Sequence, residues 1–206
     1  MTLRQHAAVA AFDFDGTLTR GDSLVSFLHF SAGPARMATE FLRLLPLLAG
    51  YGLGRVDNQV AKEAVLTRFF SGMEQQQLAE LGARFARQKI GALLRPDGVP
   101  RLRWHQQQGH YCVLVSASLD IYLQPWAQDM GFDAVLCSRL ACDSERRITG
   151  RLAGANCYGP EKTRRLRELV GEPATLYAYG DSRGDRELLA MADHAYYRRM
   201  PGPGES

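Results

Sequence analysis

The stretch VAAFDFDGTLT, residues 9–19, constrains the fold of this chain most: an apolar run ends in two aspartates separated by one phenylalanine. Such a continuous apolar run is typical of a strand that is buried on both faces of a parallel sheet. Side chains two residues apart on a strand lie on the same face, so Asp13 and Asp15 share one side and Phe14 lies on the other. The sequence therefore predicts two neighbouring carboxylates at the end of a buried strand.

Three further segments have the same apolar, strand-like pattern: HYCVLVSAS at 110–118, DAVLCSRL at 133–140 and ATLYAYGDS at 174–182. Helical patterns lie between them at 119–131 and 159–171, and Pro160 and Gly171 are start and stop signals of the second. Alternating strands and helices predict an α/β fold, a parallel sheet with helices on both faces. In such sheets ligands bind at the carboxyl ends of the strands.

Residues 20–100 contain only helical patterns, although a crossover between parallel strands needs about a dozen residues. We therefore predict that residues 20–100 form an inserted helical domain, called the cap below. Residues 1–19 and 101–206 would then form the Rossmann-like core.

The composition fits a globular chain: 206 residues, 46% hydrophobic and 23% charged. With 25 Lys and Arg against 22 Asp and Glu, the net charge of +3 lacks the basic excess of a nucleic-acid-binding protein. We interpret the basic runs RRLR and YYRRM as solvated surface and predict no nucleic-acid partner. The oligomeric state is not predicted.

The four cysteines, Cys112, Cys137, Cys142 and Cys157, show no C-x-x-C spacing. No secretory leader is recognised before the first strand. This pattern predicts reduced thiols and a cytoplasmic protein.

The two aspartates suggest a metal site. Two carboxylates held close together repel each other and raise one pKa unless a cation lies beside them. Mg²⁺ prefers one or two carboxylates and keeps several waters. Gly16 would let backbone amides approach an anion, and the Thr17 hydroxyl would bind a phosphate oxygen. The alternative is an aspartate-rich turn that caps the next helix.

The later strand ends also carry polar residues. Ser116 could hold a phosphate oxygen, although a serine there is also a common turn residue. Lys162 lies in the first turn of a helix, where the helix dipole disfavours a cation unless an anion is held nearby; a solvated lysine is the alternative. Asp181 and Asp185 follow the last long strand. We expect these side chains to meet at one edge of the sheet.

Four segments, DFDGT, the serine of VLVSAS, the lysine of GPEK, and GDSRGD, resemble the ordered motifs of the haloacid dehalogenase-like phosphatases. The match runs from Phe12 to Asp185. The helical insertion after the first motif resembles the subgroup that includes phosphoserine and phosphatidylglycerophosphate phosphatases. The resemblance implies a Rossmann-like core with an inserted helical cap.

The resemblance also implies roles. Asp13 would attack phosphorus and become an aspartyl-phosphate, and Asp15 would be the general acid and then the base. Asp181 would hold Mg²⁺ with Asp13 and the main-chain carbonyl of Asp15, supported by Asp185. The phosphoryl oxygens would be held by Ser116 and Lys162.

This chain departs from the family pattern Gly-Asp-Gly-x-x-Asp at Ser182, which is expected to alter the local backbone and neither carboxylate. A phospho-accepting signalling domain is an alternative, but it needs neither the second aspartate nor the cap. A phosphotransferase with the same residues is the other alternative.

The substrate is predicted from the cap. Phosphoserine-specific members carry acidic residues just after the first motif, but here Arg20 and Asp22 precede an apolar run. The leucine-rich stretch 41–53 is too short to span a bilayer. Together with the apolar stretch SLVSFLHF at 23–30, it gives a small cap more hydrophobic surface than its own interior needs. This apolar surplus favours a lipid phosphate such as phosphatidylglycerophosphate over a small phosphometabolite such as phosphoserine.

The same surplus predicts peripheral contact with the inner membrane surface, where Arg36, Arg43 and Arg55 would lie near anionic headgroups. The alternative is that this stretch is the core of the cap. Arg68 and Met73 could line the pocket; an exposed arginine and a core methionine are the alternatives.

Overall fold

The computed structural model describes residues 8–202; residues 1–7 and 203–206 of the predicted core lie outside this range. A five-stranded parallel sheet with strand order β3-β2-β1-β6-β7 forms its centre. The strands of the chain are β1 (Ala8–Phe12), β2 (Tyr111–Leu119), β3 (Ala134–Ser138), β4 (Leu140–Cys142), β5 (Ile148–Leu152), β6 (Thr175–Gly180) and β7 (His194–Tyr197).

Helices join β1 to β2, β2 to β3, β5 to β6 and β6 to β7. They are α1 (Ser23–Gly52), α2 (Asn58–Phe70), α3 (Gln75–Phe85), α4 (Gly91–Leu93), α5 (Gly98–Gln107), α6 (Asp120–Asp129), α7 (Pro160–Val170) and α8 (Arg186–Ala190). A π-helical turn (Ala86–Ile90) joins α3 to α4, and a 3₁₀ turn (Arg183–Asp185) precedes α8. The predicted α/β fold class is confirmed.

Both faces of β1 are covered, as its apolar run predicted. Val9 and Ala11 pack in one cluster with Leu166 of α7 and Leu188 of α8. Ala10 and Phe12 belong to a second cluster, which continues through α5 and α6 into the cap. Because neither face of β1 meets solvent, every residue from Val9 to Phe12 is fully buried.

The strand order places the carboxyl end of β1 at a switch point. From β1 the chain runs through the cap to β2 and β3 on one side, and it returns through α7 to β6 and β7 on the other. Connections therefore leave β1 and β6 in opposite directions, which opens a crevice outside their carboxyl ends. Asp13 continues β1 by donating its backbone N–H to the Tyr179 carbonyl of β6.

The two longest cap helices, α1 and α2, begin at capping aspartates. Asp22 accepts a hydrogen bond from the Val25 backbone at the start of α1, and Asp57 accepts one from the Gln59 backbone at the start of α2. Gly33 interrupts α1 with φ 75° and ψ 167°, so α1 consists of two helical pieces joined at a kink. The prediction of helices without a strand between β1 and β2 is confirmed.

The sequence patterns missed two features. The segment predicted as one strand at 133–140 ends at Ser138, and a separate antiparallel hairpin of β4 and β5 follows it. The edge strand β7 was not predicted either. Among the described residues, no helix is both long enough and apolar enough to cross a membrane.

Candidate active site

A cavity of about 580 Å³ lies at the carboxyl end of β1, beneath α1 and α2 of the cap. Five residues predicted from separate strand ends and helices line it: Asp13, Asp15, Ser116, Lys162 and Asp181. The other two, Thr17 and Asp185, are buried and bonded to these residues. The structure thus brings the predicted site residues to one place.

Asp13 lies at the centre of a buried network. Its Oδ1 accepts a hydrogen bond of 2.6 Å from Lys162 Nζ, and its Oδ2 accepts one of 3.0 Å from the Thr17 hydroxyl. Lys162 Nζ also donates to Asp185 Oδ1 at 2.6 Å. Thr17, predicted as a phosphate ligand, therefore directs its hydroxyl to Asp13 in this structure.

Burial sets the electrostatics of this network. Burial raises the pKa of Asp13, with the Lys162 ammonium opposing the shift and the Asp185 carboxylate adding to it. Burial acts against the charged form of Asp185 as well, but Lys162 outweighs it and lowers the pKa of that carboxyl. For Lys162 the two carboxylates overcome burial and raise its pKa, so the ammonium is stable at 2% exposure. The site therefore holds one fixed cation between two acids.

A third acid completes a cluster that fits a hard divalent cation. One carboxylate oxygen from each of Asp13, Asp181 and Asp185 lies within 4.8 Å of the others. Asp181 Oδ1 is buried and has no hydrogen-bond partner among the described residues. Burial and the Asp185 charge raise the pKa of Asp181. An all-oxygen donor set with an unpartnered carboxylate oxygen suits Mg²⁺, so the residues present fit that ion.

Asp15 lies in a different environment from Asp13. Its Oδ1 accepts a hydrogen bond of 2.7 Å from the Ser23 backbone, and its Oδ2 accepts one from the Ser118 hydroxyl. Its carboxylate is outside the cluster of three acids. The metal contact predicted for Asp15 is through its main-chain carbonyl, so that prediction does not need the carboxylate in the cluster. Burial raises its pKa to about 6, with Asp22 adding to the shift.

The loop after β6 explains why Ser182 can stand where the family pattern Gly-Asp-Gly-x-x-Asp has glycine. Ser182 has φ −124° and ψ 175°, an extended backbone that any residue adopts, so no glycine is needed there. Its hydroxyl donates to Asp185 Oδ2 at 2.8 Å and accepts from the Gly184 backbone. Asp185 Oδ2 in turn accepts from the backbone N–H groups of Asp181 and Ser182. This loop fixes both acids.

Gly16 has two reasons to be glycine. Its φ is +78°, in the region that disfavours side chains, and a Cβ atom there would lie 2.2 Å from Asp181 Oδ2. Close contact between the loops after β1 and β6 therefore requires this glycine.

Several site residues were missed. Ser118 holds Asp15, and its own backbone N–H donates to the Ser116 hydroxyl at 3.0 Å. Lys62 of α2 and Asn156 line the cavity and are hydrogen-bonded to each other. The second serine of VSAS was a signal for Ser118, but nothing local marked Lys62 or Asn156.

The two pocket candidates of the cap lie elsewhere. Arg68 pairs with Glu40, and Met73 packs against the main core cluster. The cap instead contributes two kinds of side chain to the cavity. A group of apolar side chains consists of Leu24, Leu28, Phe41, Leu48 and Val65, and polar side chains lie beside them at Arg20, Asp22, Asn58 and Lys62.

Comparisons with known proteins agree with this geometry. Residues 10–190 match the family model described as haloacid dehalogenase-like hydrolase. Protein CicA of Caulobacter vibrioides is 41% identical over 195 residues, which cover 94% of this chain and 87% of that protein.

Two further proteins are similar. The 2-hydroxy-3-keto-5-methylthiopentenyl-1-phosphate phosphatase of Exiguobacterium sibiricum is 27% identical over 192 residues, covering 90% of this chain and 81% of that protein. A solved structure of a protein of unknown function from Bordetella pertussis Tohama I superposes with a TM-score of 0.78 at 26% identity, covering 91% of this chain and 87% of that one.

Proposed function

This chain belongs to the haloacid dehalogenase-like hydrolases and is a phosphatase, and we propose that it hydrolyses phosphomonoesters through an aspartyl-phosphate on Asp13. One observation carries this proposal: two carboxylates on the same cavity have opposite surroundings. Asp13 lies against the Lys162 ammonium, whereas Asp15 is held by the neutral donors of Ser23 and Ser118. A nucleophile and a general acid need that difference.

In the first step a carboxylate oxygen of Asp13 attacks phosphorus, and the bond from phosphorus to the leaving alcohol breaks. Asp15 gives its proton to the departing alcohol oxygen. The raised pKa of Asp15, about 6, makes the protonated acid accessible near neutral pH.

In the second step Asp15 takes a proton from water, whose oxygen attacks phosphorus. The bond from phosphorus to Asp13 breaks, and inorganic phosphate leaves. Asp13 returns as a carboxylate, which accepts again from Lys162 and Thr17.

Lys162 and Ser116 support both steps. We propose that the Lys162 ammonium and the Ser116 hydroxyl, both almost fully buried, bind phosphoryl oxygens and offset the charge that builds on them. Donors fixed in advance avoid the cost of reorganisation during the reaction.

We propose Mg²⁺ as the metal, held by Asp13, Asp181 and the main-chain carbonyl of Asp15, with Asp185 fixing the loop. When bound, Mg²⁺ neutralises phosphoryl charge and that of the attacking carboxylate. The unpartnered Asp181 Oδ1 supports this assignment.

Mg²⁺ is expected to raise the melting temperature of the protein. A ligand at ten times its Kd stabilises the folded state by about 1.4 kcal/mol, which is roughly 3–6 °C for a chain of this size. Asp181→Asn is expected to lose most of this shift, because it replaces a charged ligand by a neutral one.

Differential scanning fluorimetry with and without Mg²⁺ measures the shift in melting temperature of the wild-type protein and of Asp181→Asn. Asp129→Asn, at the exposed end of α6, is the matched control. An unchanged Mg²⁺ shift in Asp181→Asn would place the metal elsewhere.

We further propose a lipid phosphate such as phosphatidylglycerophosphate as the substrate, with a small phosphometabolite such as phosphoserine as the alternative. The apolar side chains that the cap contributes to the cavity support a substrate with an acyl portion. Large apolar side chains are also exposed on the cap surface, at Leu42 (67%), Leu45 (54%) and Leu53 (69%). These three residues, called the leucine patch below, suit contact with a bilayer surface.

The basic residues near the leucine patch are not equivalent. Arg36 donates to the Phe69 carbonyl and lies over the Phe69 ring, so it is engaged within the cap. Arg43 pairs with Glu40 but is 61% exposed, so it can reach an anionic headgroup.

Vesicles rich in phosphatidylglycerol are expected to co-sediment with the protein. Leu42→Ser with Leu45→Ser should weaken this binding at least about tenfold, because burial of one leucine side chain contributes about 1.5–3 kcal/mol. Tyr197→Ser, an exposed apolar residue of β7, is the control.

A hydrolysis panel with Mg²⁺ then tests the substrate class. The lipid proposal fails if the protein does not bind the vesicles and if phosphoserine turns over faster than phosphatidylglycerophosphate.

A further inference from the structure

Lys62 brings a second ammonium to the cavity from the cap. It lies on α2, and its Nζ donates to the Ala117 carbonyl and, at 3.0 Å, to Asn156 Oδ1. Both acceptors are neutral. An ammonium has three N–H donors, so one donor remains after these two bonds.

The charge of Lys62 is not neutralised by an ion pair within residues 8–202, unlike that of Lys162, which contacts two carboxylates. Burial lowers the pKa of Lys62 to about 8, while Asp15 and Asp22 act in the opposite direction. The group is therefore still mainly charged at neutral pH. A buried cation without a direct counter-ion is costly, and an anion that binds beside it would offset that cost.

The position of the Lys62 ammonium indicates which part of a substrate it would meet. Ala117, its backbone partner, lies between Ser116, assigned to the phosphoryl group, and Ser118, which holds the general acid Asp15. Asp15 must face the departing oxygen. The Lys62 ammonium is therefore placed on the leaving-group side of the reacting phosphorus.

The choice of lysine at this position is unusual for this chain. Of its 25 basic residues only three are lysines, namely Lys62, Lys89 and Lys162. Lys89 is exposed, whereas the other two line the cavity. Arg20 also lines the cavity, but Lys62 places a compact ammonium with three donors against Ala117 and Asn156.

Asn156 holds Lys62 in place. Its Oδ1 accepts from Lys62 and from the Ser138 hydroxyl at 2.7 Å, and its Nδ2 donates to Asn58 Oδ1 at 2.6 Å. Since Asn58 begins α2, this buried amide ties the cap helix to the loop after β5. The Lys62 ammonium is therefore held in position before an anion binds, so binding does not cost the entropy of ordering this side chain.

We propose that Lys62 binds a second anionic group, a carboxylate or a phosphodiester, carried by the leaving alcohol of the substrate. This inference rests on the proposed phosphatase function and specifies its substrate class as phosphomonoesters with a second negative charge near the scissile bond. Lys62 is then a specificity-determining residue.

Three soluble substrates that lack acyl chains test this inference: glycerol phosphate, with no second anion; 3-phosphoglycerate, with a carboxylate; and glycerophosphoglycerol phosphate, with a phosphodiester. Lys62→Met should lower kcat/KM about 10- to 100-fold for a substrate whose second anion it binds, mostly through KM, as loss of a charge-assisted hydrogen bond predicts. Glycerol phosphate should change less than about threefold.

Lys62→Arg should recover part of the loss, and Lys89→Met is the matched control. Lys62→Gln, which keeps a donor without the charge, replaces Lys62→Met if the latter has a lowered melting temperature. A loss restricted to 3-phosphoglycerate identifies a carboxylate as the bound group, and a loss restricted to the phosphodiester identifies that group.

Two results overturn the inference in distinguishable ways. An equal loss for all three substrates makes Lys62 a tether between α2 and the core and leaves the phosphatase function intact. Failure of the wild-type protein to hydrolyse any phosphomonoester, including lipid phosphates, overturns the proposed function and this inference with it.

Discussion

Asp13→Asn is expected to reduce phosphatase turnover by at least about a thousandfold, because the amide that replaces the carboxylate is a poor nucleophile and a poor metal ligand. The fold should survive, since the change removes a buried charge whose ionisation burial already opposes. Lys162 keeps its second partner, Asp185, in the variant. Steady-state hydrolysis and a melting curve measure the two effects separately.

Asp129→Asn makes the same chemical change at an exposed position and should retain full activity. If purified Asp13→Asn kept even a tenth of the wild-type activity, Asp13 would not be the nucleophile.

Asp15→Asn is expected to separate substrates by their leaving groups. With alkyl phosphates the loss should be about a hundred- to ten-thousandfold, the usual contribution of a general acid. With an aryl phosphate the first step should lose far less, because a good leaving group departs without a proton. Burst-phase measurements with both substrate types follow the first step directly.

The same variant should then stall in the second step, since no base activates water. An aryl phosphate should therefore give a burst of the aryl alcohol followed by slow turnover. Similar losses of burst phase for the two substrate types would contradict the acid role of Asp15.

Most of the site was predictable because its residues lie at strand ends or, like Lys162, at the start of a helix. The apolar run of β1 predicts that this strand is buried, and Asp13 follows the strand directly. Pro160 and Gly171 mark the bounds of α7, which carries Lys162. Such signals are local, so a sequence displays them.

The rest of the site depends on contacts between distant segments. Lys62 meets Ala117 across 55 residues, and Asp15 meets Ser118 across 103. The periodicity of α2 predicts a helix but gives no indication that one of its polar residues enters a cavity. The β4 strand has only three residues, too few for an alternating pattern to be recognised.

Detection of phosphate bound covalently to the protein tests the central claim most directly. Asp15→Asn, which should accumulate the intermediate, is mixed with a ³²P-labelled aryl phosphate and Mg²⁺, quenched in acid and digested. We predict one labelled peptide, which contains Asp13. Hydroxylamine should release its label, as it does from an acyl phosphate. The Asp13→Asn, Asp15→Asn double variant should carry no label. Label on a different residue, or equal label in the double variant, would contradict an aspartyl-phosphate on Asp13.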